Sequence, residues 1–329
     1  MNRMNIPVER ACLDVGIPCV VRQQTCDIQQ HAEEHQGWDL QLMQLSSGCF
    51  KGQMVRFELD GLSLIRESSN QALLKRGALS CHQVSFNFPL SKPRDPLICL
   101  GRRYDYGGVL AVMGGELPEI RVAADLDVLS LSVDYQKLAG LSDETQEAIE
   151  RLQSGPCYLP SFSSYQALTR LFDLSCQWLV LRPDLVCRSV LSDAFLGHIV
   201  DALAQGAVES VMPSERKRVV DRAREVIDAH HDEPVSIPSI CHDIGVSQRK
   251  LQYCFQEYLG VSPATYVRLF RLNAVHRSLA CGDAWQVQDE AIRWGFFHLG
   301  HFAMAYRQLF GERPSETLER SRRNSAKSG

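Results

Sequence analysis

Cys241-His242-Asp243-Ile244-Gly245-Val246-Ser247 has a second copy further along, Ala291-Ile292-Arg293-Trp294-Gly295-Phe296-Phe297. Each stretch leads into an apolar pair four apart, Leu251 with Phe255 and Phe302 with Tyr306. Each pair is followed by a glycine and a proline, Gly260 with Pro263 and Gly311 with Pro314. The small residue, Cys241 or Ala291, lets two helices cross closely, and the glycine after it supplies the positive φ of a short turn. Residues four apart share one helix face, so each apolar pair pins its helix to a core. The later glycine ends that helix and the proline begins the next. Ser247 is placed to cap the helix after the first turn, where the second copy has Phe297. One copy alone is what any helical bundle produces. Two in register, joined by the helix-length segment Pro263 to Ala280, predict two helix-turn-helix units in an all-α C-terminal domain.

Charge supports a division of the chain. From Ser214 to Gly329 there are 17 Lys and Arg against 14 Asp and Glu, while the remainder has 18 basic against 25 acidic residues. An acidic front and a mildly basic back suit a nucleic-acid partner for the back half, although solvated helix faces produce the same balance. Hydrophobic residues make up 45% and charged residues 22%, which excludes a disordered chain.

In the front half, short apolar runs are separated by turn signals. The runs are Leu40–Leu45, Met54–Leu59, Leu62–Ile65, Val84–Phe88, Leu97–Leu100, Val109–Val112 and Val128–Val133; the signals include Asp60-Gly61, Gly107-Gly108 and Gly114-Gly115. This texture predicts a β-rich, barrel-like domain able to hold one small ligand. Ser142-Asp143-Glu144-Thr145 is read as a helix cap, and 163–181 and 184–205 carry apolar residues at helical spacing. Gly206 to Pro213 reads as a linker. The expected architecture is therefore α+β and multidomain: 1–141 β-rich, 142–213 a helical linker and dimerisation region, 214–329 the double helix-turn-helix domain.

The scattered cysteines include Cys12, Cys19 and Cys26 at a recurring spacing but no C-x-x-C pair. Met1 to Arg10 has no apolar run, and nowhere is there the stretch of roughly 18 apolar residues that spans a membrane. A cytoplasmic protein without membrane contact is expected.

With the motifs Arg271-Leu272, Trp294-Gly295-Phe296, Tyr306-Arg307-Gln308-Leu309-Phe310-Gly311 and Arg313-Pro314-Ser315, the region Arg222 to Glu319 resembles the AraC/XylS family of transcription regulators. The run Trp294 to Phe302 is most similar to the ethanolamine-operon type. The resemblance implies seven helices, two helix-turn-helix units bridged by one long helix, with recognition helices entering the major groove about 34 Å apart. It also implies a β-rich domain that binds an effector and helps form a homodimer, and contact with RNA polymerase at a promoter. The ethanolamine-type likeness points to an amine effector. An activator of a nearby catabolic operon is expected. A repressor or an effector-independent regulator of the same architecture would carry the same residues.

On the first recognition helix the face opposite Leu251, Cys254 and Phe255 offers Gln248, Arg249, Gln252, Tyr253 and Gln256. Arg bonds guanine bidentately and Gln bonds adenine. The resemblance places base contact on Arg249, Gln252 and Tyr253, whereas Lys250 and Arg268 read as phosphate partners. The second helix offers His298, Leu299, Gly300, His301 and Met304, of which only the histidines donate hydrogen bonds. It is expected to position more than to specify. For every one of these residues the plain alternative is a solvated helix face.

Trp38, Arg66, Glu67, His82, Asn87 and Arg102 are candidate pocket residues, each more often an ordinary surface or core residue. His31-Ala32-Glu33-Glu34-His35 matches H-x-x-E-H, a helical zinc pattern, and so raises a metalloenzyme with a DNA-binding tail as a third reading. The match is short and needs a distant carboxylate ligand. A cupin dioxygenase would want H-x-H in the β-rich region, which has none. No enzyme activity, metal or cofactor is expected.

Overall fold

The computed structural model describes residues 20–35, 37–139, 149–160, 162–204, 208–230 and 236–328. The cap read at Ser142–Thr145, and Cys12 and Cys19, lie outside them. In chain order the strands are β1 (Val21–Thr25), β2 (Trp38–Gln44), β3 (Gly52–Leu59), β4 (Leu62–Ser69), β5 (Leu73–Pro89), β6 (Leu97–Cys99), β7 (Arg102–Tyr104), β8 (Val109–Glu116), β9 (Ile120–Val122), β10 (Leu126–Asp134), β11 (Cys157–Leu159) and β12 (Glu209–Ser210). Helix α1 (Ile28–Glu33) precedes β2 and α2 (Tyr135–Ala139) follows β10.

All strand pairs are antiparallel, and the main path runs β1-β3-β4-β10-β5-β8-β11-β12. Among the described residues that path does not return on itself, so the strand pairing supports a β-rich domain without the closure of the barrel-like form expected from the strand texture. The reason lies in β5. Its second half pairs with β10, while its first half turns to pair with β2 and β9, with a register shift against β8 between Leu79 and Val84. Gly114-Gly115, read above as a turn, sits inside β8 opposite that irregular segment. The stretch read as the linker Gly206 to Pro213 contains β12, which pairs with β11.

Side chains alternate across a sheet, and here the two faces serve different partners. Phe57, Leu64, Phe86, Phe88, Leu129 and Leu131 pack against Phe172 of α3 (Tyr165–Leu181) and Phe195 and Ile199 of α4 (Arg188–Ala204). Phe57 and Phe172 have ring centroids 5.2 Å apart. Burial of each such ring stabilises by about 1.5–3 kcal/mol. The opposite face, with Leu110, Val112, Leu126 and Val128, belongs to a second core that continues into the C-terminal helices.

Those helices are α5 (Glu215–Ala229), α6 (Ile237–Ile244), α7 (Gln248–Leu259), α8 (Pro263–Cys281), α9 (Val287–Arg293), α10 (Leu299–Phe310) and α11 (Pro314–Ser328). Ser214, Ser236, Ser247 and Ser262 each cap a helix by accepting a backbone N–H three residues on, at 3.1, 3.1, 3.2 and 3.1 Å. Each such cap is worth about 1 kcal/mol. In the second unit the cap position falls on His298 and not, as the sequence suggested, on Phe297, and His298 makes no side-chain cap bond. Gly245 turns α6 into α7 with φ +67°, and Gly295 turns α9 toward α10 with φ +74°. A Cβ at Gly295 would also lie 2.7 Å from Nη1 of Arg271 in α8, so the end of that side chain would have to shift.

Candidate functional site

The buried side of α7 is Leu251, Cys254, Phe255, Tyr258 and Leu259. This packing turns Gln248, Arg249, Gln252, Tyr253 and Gln256 outward, and all five are exposed, as are Lys250 and, on α8, Arg268. On α10, Phe302, Tyr306, Leu309 and Phe310 are buried, leaving His298, Gly300, His301 and Met304 exposed and Leu299 half-buried. The His298 and His301 rings lie 6.0 Å apart. The first face is thus polar and rich in donors, whereas the second is mixed. Between them α8, at the 1.5 Å rise of a helix, is about 28 Å long.

Both candidate helices are held by their C-terminal ends. At the end of α7, Tyr258 donates to Glu119 of the β-rich half, and Glu257 pairs with Arg103 at 3.2 Å. At the end of α10, the Leu309 carbonyl accepts from Gly48 N at 2.9 Å and from Gln44 Nε2 at 2.7 Å. Asn273 of α8 exchanges hydrogen bonds with the Gln44 backbone at 2.8 and 3.1 Å. His276 lies 3.0 Å from Asp27, which also binds Arg320 at 2.6 Å. The outer-face residues of α7 and α10 are exposed and take no part in these contacts.

Asp27, His276 and Glu312 form a group whose ligand atoms would suit a metal ion. The positive charge there is already supplied by Arg320, whose guanidinium contacts both carboxylates.

A pocket opens on the sheet face turned toward the C-terminal half. Its walls include Trp38, Leu110, Tyr106, Leu117 and Val128, and its polar end holds His35, Glu67, Lys75, Arg76, Asn87 and Ser130. Of the six candidates drawn from sequence, Trp38, Glu67 and Asn87 line it. The other three do not: Arg66 pairs with Asp127 and Asp173 at 2.8 and 3.0 Å, His82 is exposed, and Arg102 donates to the Met212 carbonyl.

The H-x-x-E-H stretch has another purpose than a zinc face. Helix α1 stops at Glu33, so His31 and His35 do not share a helix. Their Nε2 atoms instead meet the two oxygens of Glu67 at 3.1 and 3.2 Å, and Lys75 Nζ lies 2.6 Å from both oxygens. The cation of this cluster is Lys75. Burial alone would raise the Glu67 carboxyl, but Lys75 and the histidines outweigh it and hold Glu67 well below the usual carboxylate range. Glu34 of the motif turns to Arg56.

Residues 240–320 match a family model described as a helix-turn-helix domain. Over 102 residues the chain is 36% identical to a probable thc operon regulatory protein of Rhodococcus erythropolis, covering 30% of this chain and 31% of that one. It is 32% identical over 102 residues to XylDLEGF operon transcriptional activator 3 of Pseudomonas putida, with the same 30% and 31% covered. The matched region therefore spans about a third of these relatives' length. The crystal structure of a probable AraC family transcriptional regulator from Rhodopseudomonas palustris is 39% identical, covering 32% of this chain and 97% of that one, with a TM-score of 0.29. The chain belongs to the AraC/XylS family. The matches lie in the C-terminal third and do not reach His31–His35, so the zinc-peptidase reading of that stretch falls on its geometry.

Sequence reasoning missed two residues of this AraC/XylS surface and its support. Arg216, on α5, places its guanidinium 5.3 Å above the Tyr253 ring and donates to the Tyr253 hydroxyl at 3.2 Å. Glu119, between the pocket residues Pro118 and Ile120, receives Arg76, Arg224 and Tyr258. No local pattern marks either one, because their partners are far away along the chain.

Proposed function

We propose that this protein is a sequence-specific activator of a nearby catabolic operon that responds to a small molecule. The observation that carries this reading is the pair of glycine-turned helix units, whose outer faces are exposed while their far ends are docked on the domain that contains the pocket. In this reading 1–141 is the effector domain, 142–213 the dimerisation region and 214–329 the double helix-turn-helix domain acting in the cytoplasm. Arg249 and Gln252 read bases, with Gln248, Tyr253 and Gln256 beside them; Lys250 and Arg268 hold phosphates; and His298, Leu299 and His301 seat the second helix. A homodimer places four such helices on two half-sites and contacts RNA polymerase. Support for dimerisation comes from the exposed apolar side chains of α3, among them Trp178 and Leu181. The printed names of the two relatives, an operon regulator and an operon activator, support the activator assignment.

The test is a footprint on the intergenic DNA beside the gene, paired with a promoter fusion in a deletion strain. Protection of two direct-repeat half-sites and reporter output that falls on deletion are expected. Output that rises on deletion would make the protein a repressor, and the absence of any protected site would remove the DNA-binding assignment.

A further inference from the structure

The polar end of the pocket carries more positive than negative charge. Two cations line it, Lys75 and Arg76, and one carboxylate, Glu67. Glu67 must serve Lys75, His31 and His35 together. His35 Nδ1 faces the His31 carbonyl at 3.1 Å while its Nε2 faces Glu67. Arg76 pairs with Glu119, but Glu119 is shared with Arg224. Neither lining cation has a carboxylate to itself. The remaining walls are largely apolar, so a counter-charge brought beside these shared cations is weakly screened by water.

We propose that this pocket takes a small apolar carboxylic acid, bound as its anion. The carboxylate meets the two lining cations, Lys75 and Arg76, and the apolar body lies along Trp38, Leu110 and Val128. The proposal rests on the effector reading above and names the chemical class of the effector. A single surplus positive charge suits a monoanion better than a strongly hydrated dianion such as a phosphate. An amine, which the likeness to ethanolamine-operon regulators suggested, would have to displace Lys75 from Glu67 and would add to the surplus.

The test uses the full-length protein and two matched probe sets in calorimetry and thermal-shift measurements. One set is hexanoate, hexylamine and hexan-1-ol; the other is phenylacetate, 2-phenylethylamine and 2-phenylethanol. The acids are expected to bind and to raise the melting temperature, and the amines are not. Glu67→Gln removes the competing negative charge and should bind the acids at least as tightly as the unaltered protein. Lys75→Gln should weaken them roughly tenfold or more, the worth of a hydrogen bond to a charged group. Lys75→Arg keeps the charge and should retain binding, which separates loss of charge from loss of fold. Preference for the amines, or loss of acid binding in Glu67→Gln, overturns the carboxylate class and leaves the effector site standing. Binding of none of the six probes overturns the pocket as the effector site and with it the effector reading itself.

Discussion

Arg224 Nη1, on the first helix of the C-terminal half, lies 2.6 Å from Glu119 Oε2, on the segment that walls the pocket. Both side chains are buried, and the same carboxylate receives Tyr258 from the last turn of α7 and Arg76 from the pocket lining. One carboxylate thus touches the pocket on one side and a candidate recognition helix on the other. Removing one partner of a buried pair costs about 3–5 kcal/mol, because the remaining charge is left uncompensated. Glu119→Gln should therefore loosen the docking of α5 and α7, seen as faster amide exchange in both helices. Promoter output should lose its dependence on effector. A folded Glu119→Gln protein with an unchanged effector response would show that the signal travels elsewhere.

Acid should release the same interface. Burial pushes the Glu119 and Asp27 carboxyls upward, but Arg224 and Arg76 outweigh it at Glu119, and His276 and Arg320 outweigh it at Asp27. Both carboxyls end below their ordinary values of 4.5 and 3.8. The folded chain then binds fewer protons than the unfolded chain. Their contribution is complete above about pH 5 and shrinks as the pH falls toward the depressed folded values. Urea midpoints measured from about pH 7 down to about pH 3 should decline, and Asp27→Asn should give a lower but flatter curve in acid. Parallel curves for the two proteins would exclude Asp27 as a source of the decline.

Arg249 and Lys250 are neighbours on α7 with different expected roles. Arg249→Ala should cost about 1–3 kcal/mol at one base position and relax specificity there. Lys250→Ala should weaken binding evenly across sequences and lower the salt slope by about 1. Competition binding against a library of single-base operator variants, repeated at several salt concentrations, separates the two. Uniform weakening from Arg249→Ala would assign it to phosphate. For the second helix, combined His298→Ala and His301→Ala replacement should resemble the Lys250 change, since the face around Leu299 and Met304 offers few donors.

The repeat was legible because each of its devices is local. A glycine turn, a serine cap and an apolar pair four apart all act within a few residues, and α6 to α11 follow them closely. The first half of β5 was not legible. Lys75-Arg76-Gly77 breaks the apolar pattern, and the strand exists there because β2 and β9 pair with it. Because β5 pairs with β10 along its second half and with β2 and β9 along its first, the path of the sheet does not follow from strand texture alone. The pocket was half visible: Trp38, Glu67 and Asn87 are residue types that stand out, but which of the six candidates faced inward depended on the register of β4 and β5. His31 and His35 resembled metal ligands since spacing alone does not reveal that Lys75 already supplies the cation.

Gly245 and Gly295 have the same backbone conformation and different surroundings. A Cβ at Gly245 meets nothing within 4 Å, whereas at Gly295 it runs into Arg271 at 2.7 Å. Gly245→Ala should therefore cost only the left-handed backbone penalty, about 1–2 kcal/mol. Gly295→Ala should cost more, because Arg271 must also move. Denaturant titration of both variants checks the order. Equal losses would mean that Arg271 gives way freely.

The outer face of α3 supplies the last prediction. Leu174, Trp178 and Leu181, with Leu185 just beyond the helix, are 53%, 51%, 74% and 60% exposed. They recur at the four-and-three spacing of a coiled-coil seam, while Leu168, Phe172 and Leu179 on the other side are buried against the sheet. Apolar side chains clustered this way on a surface mark an interaction site. A second copy of α3 presents the same seam, so a two-fold dimer can bury both at once. Trp178→Glu with Leu181→Glu places like charges opposite each other across that seam without touching the inner face. Sedimentation should give a dimer for the unaltered protein and a monomer for the double variant, with matching far-ultraviolet spectra. Affinity for a two-half-site operator should fall by at least tenfold, and affinity for a single half-site should stay the same, since linked sites gain from effective concentration. If both proteins sediment as dimers, the seam is not the contact.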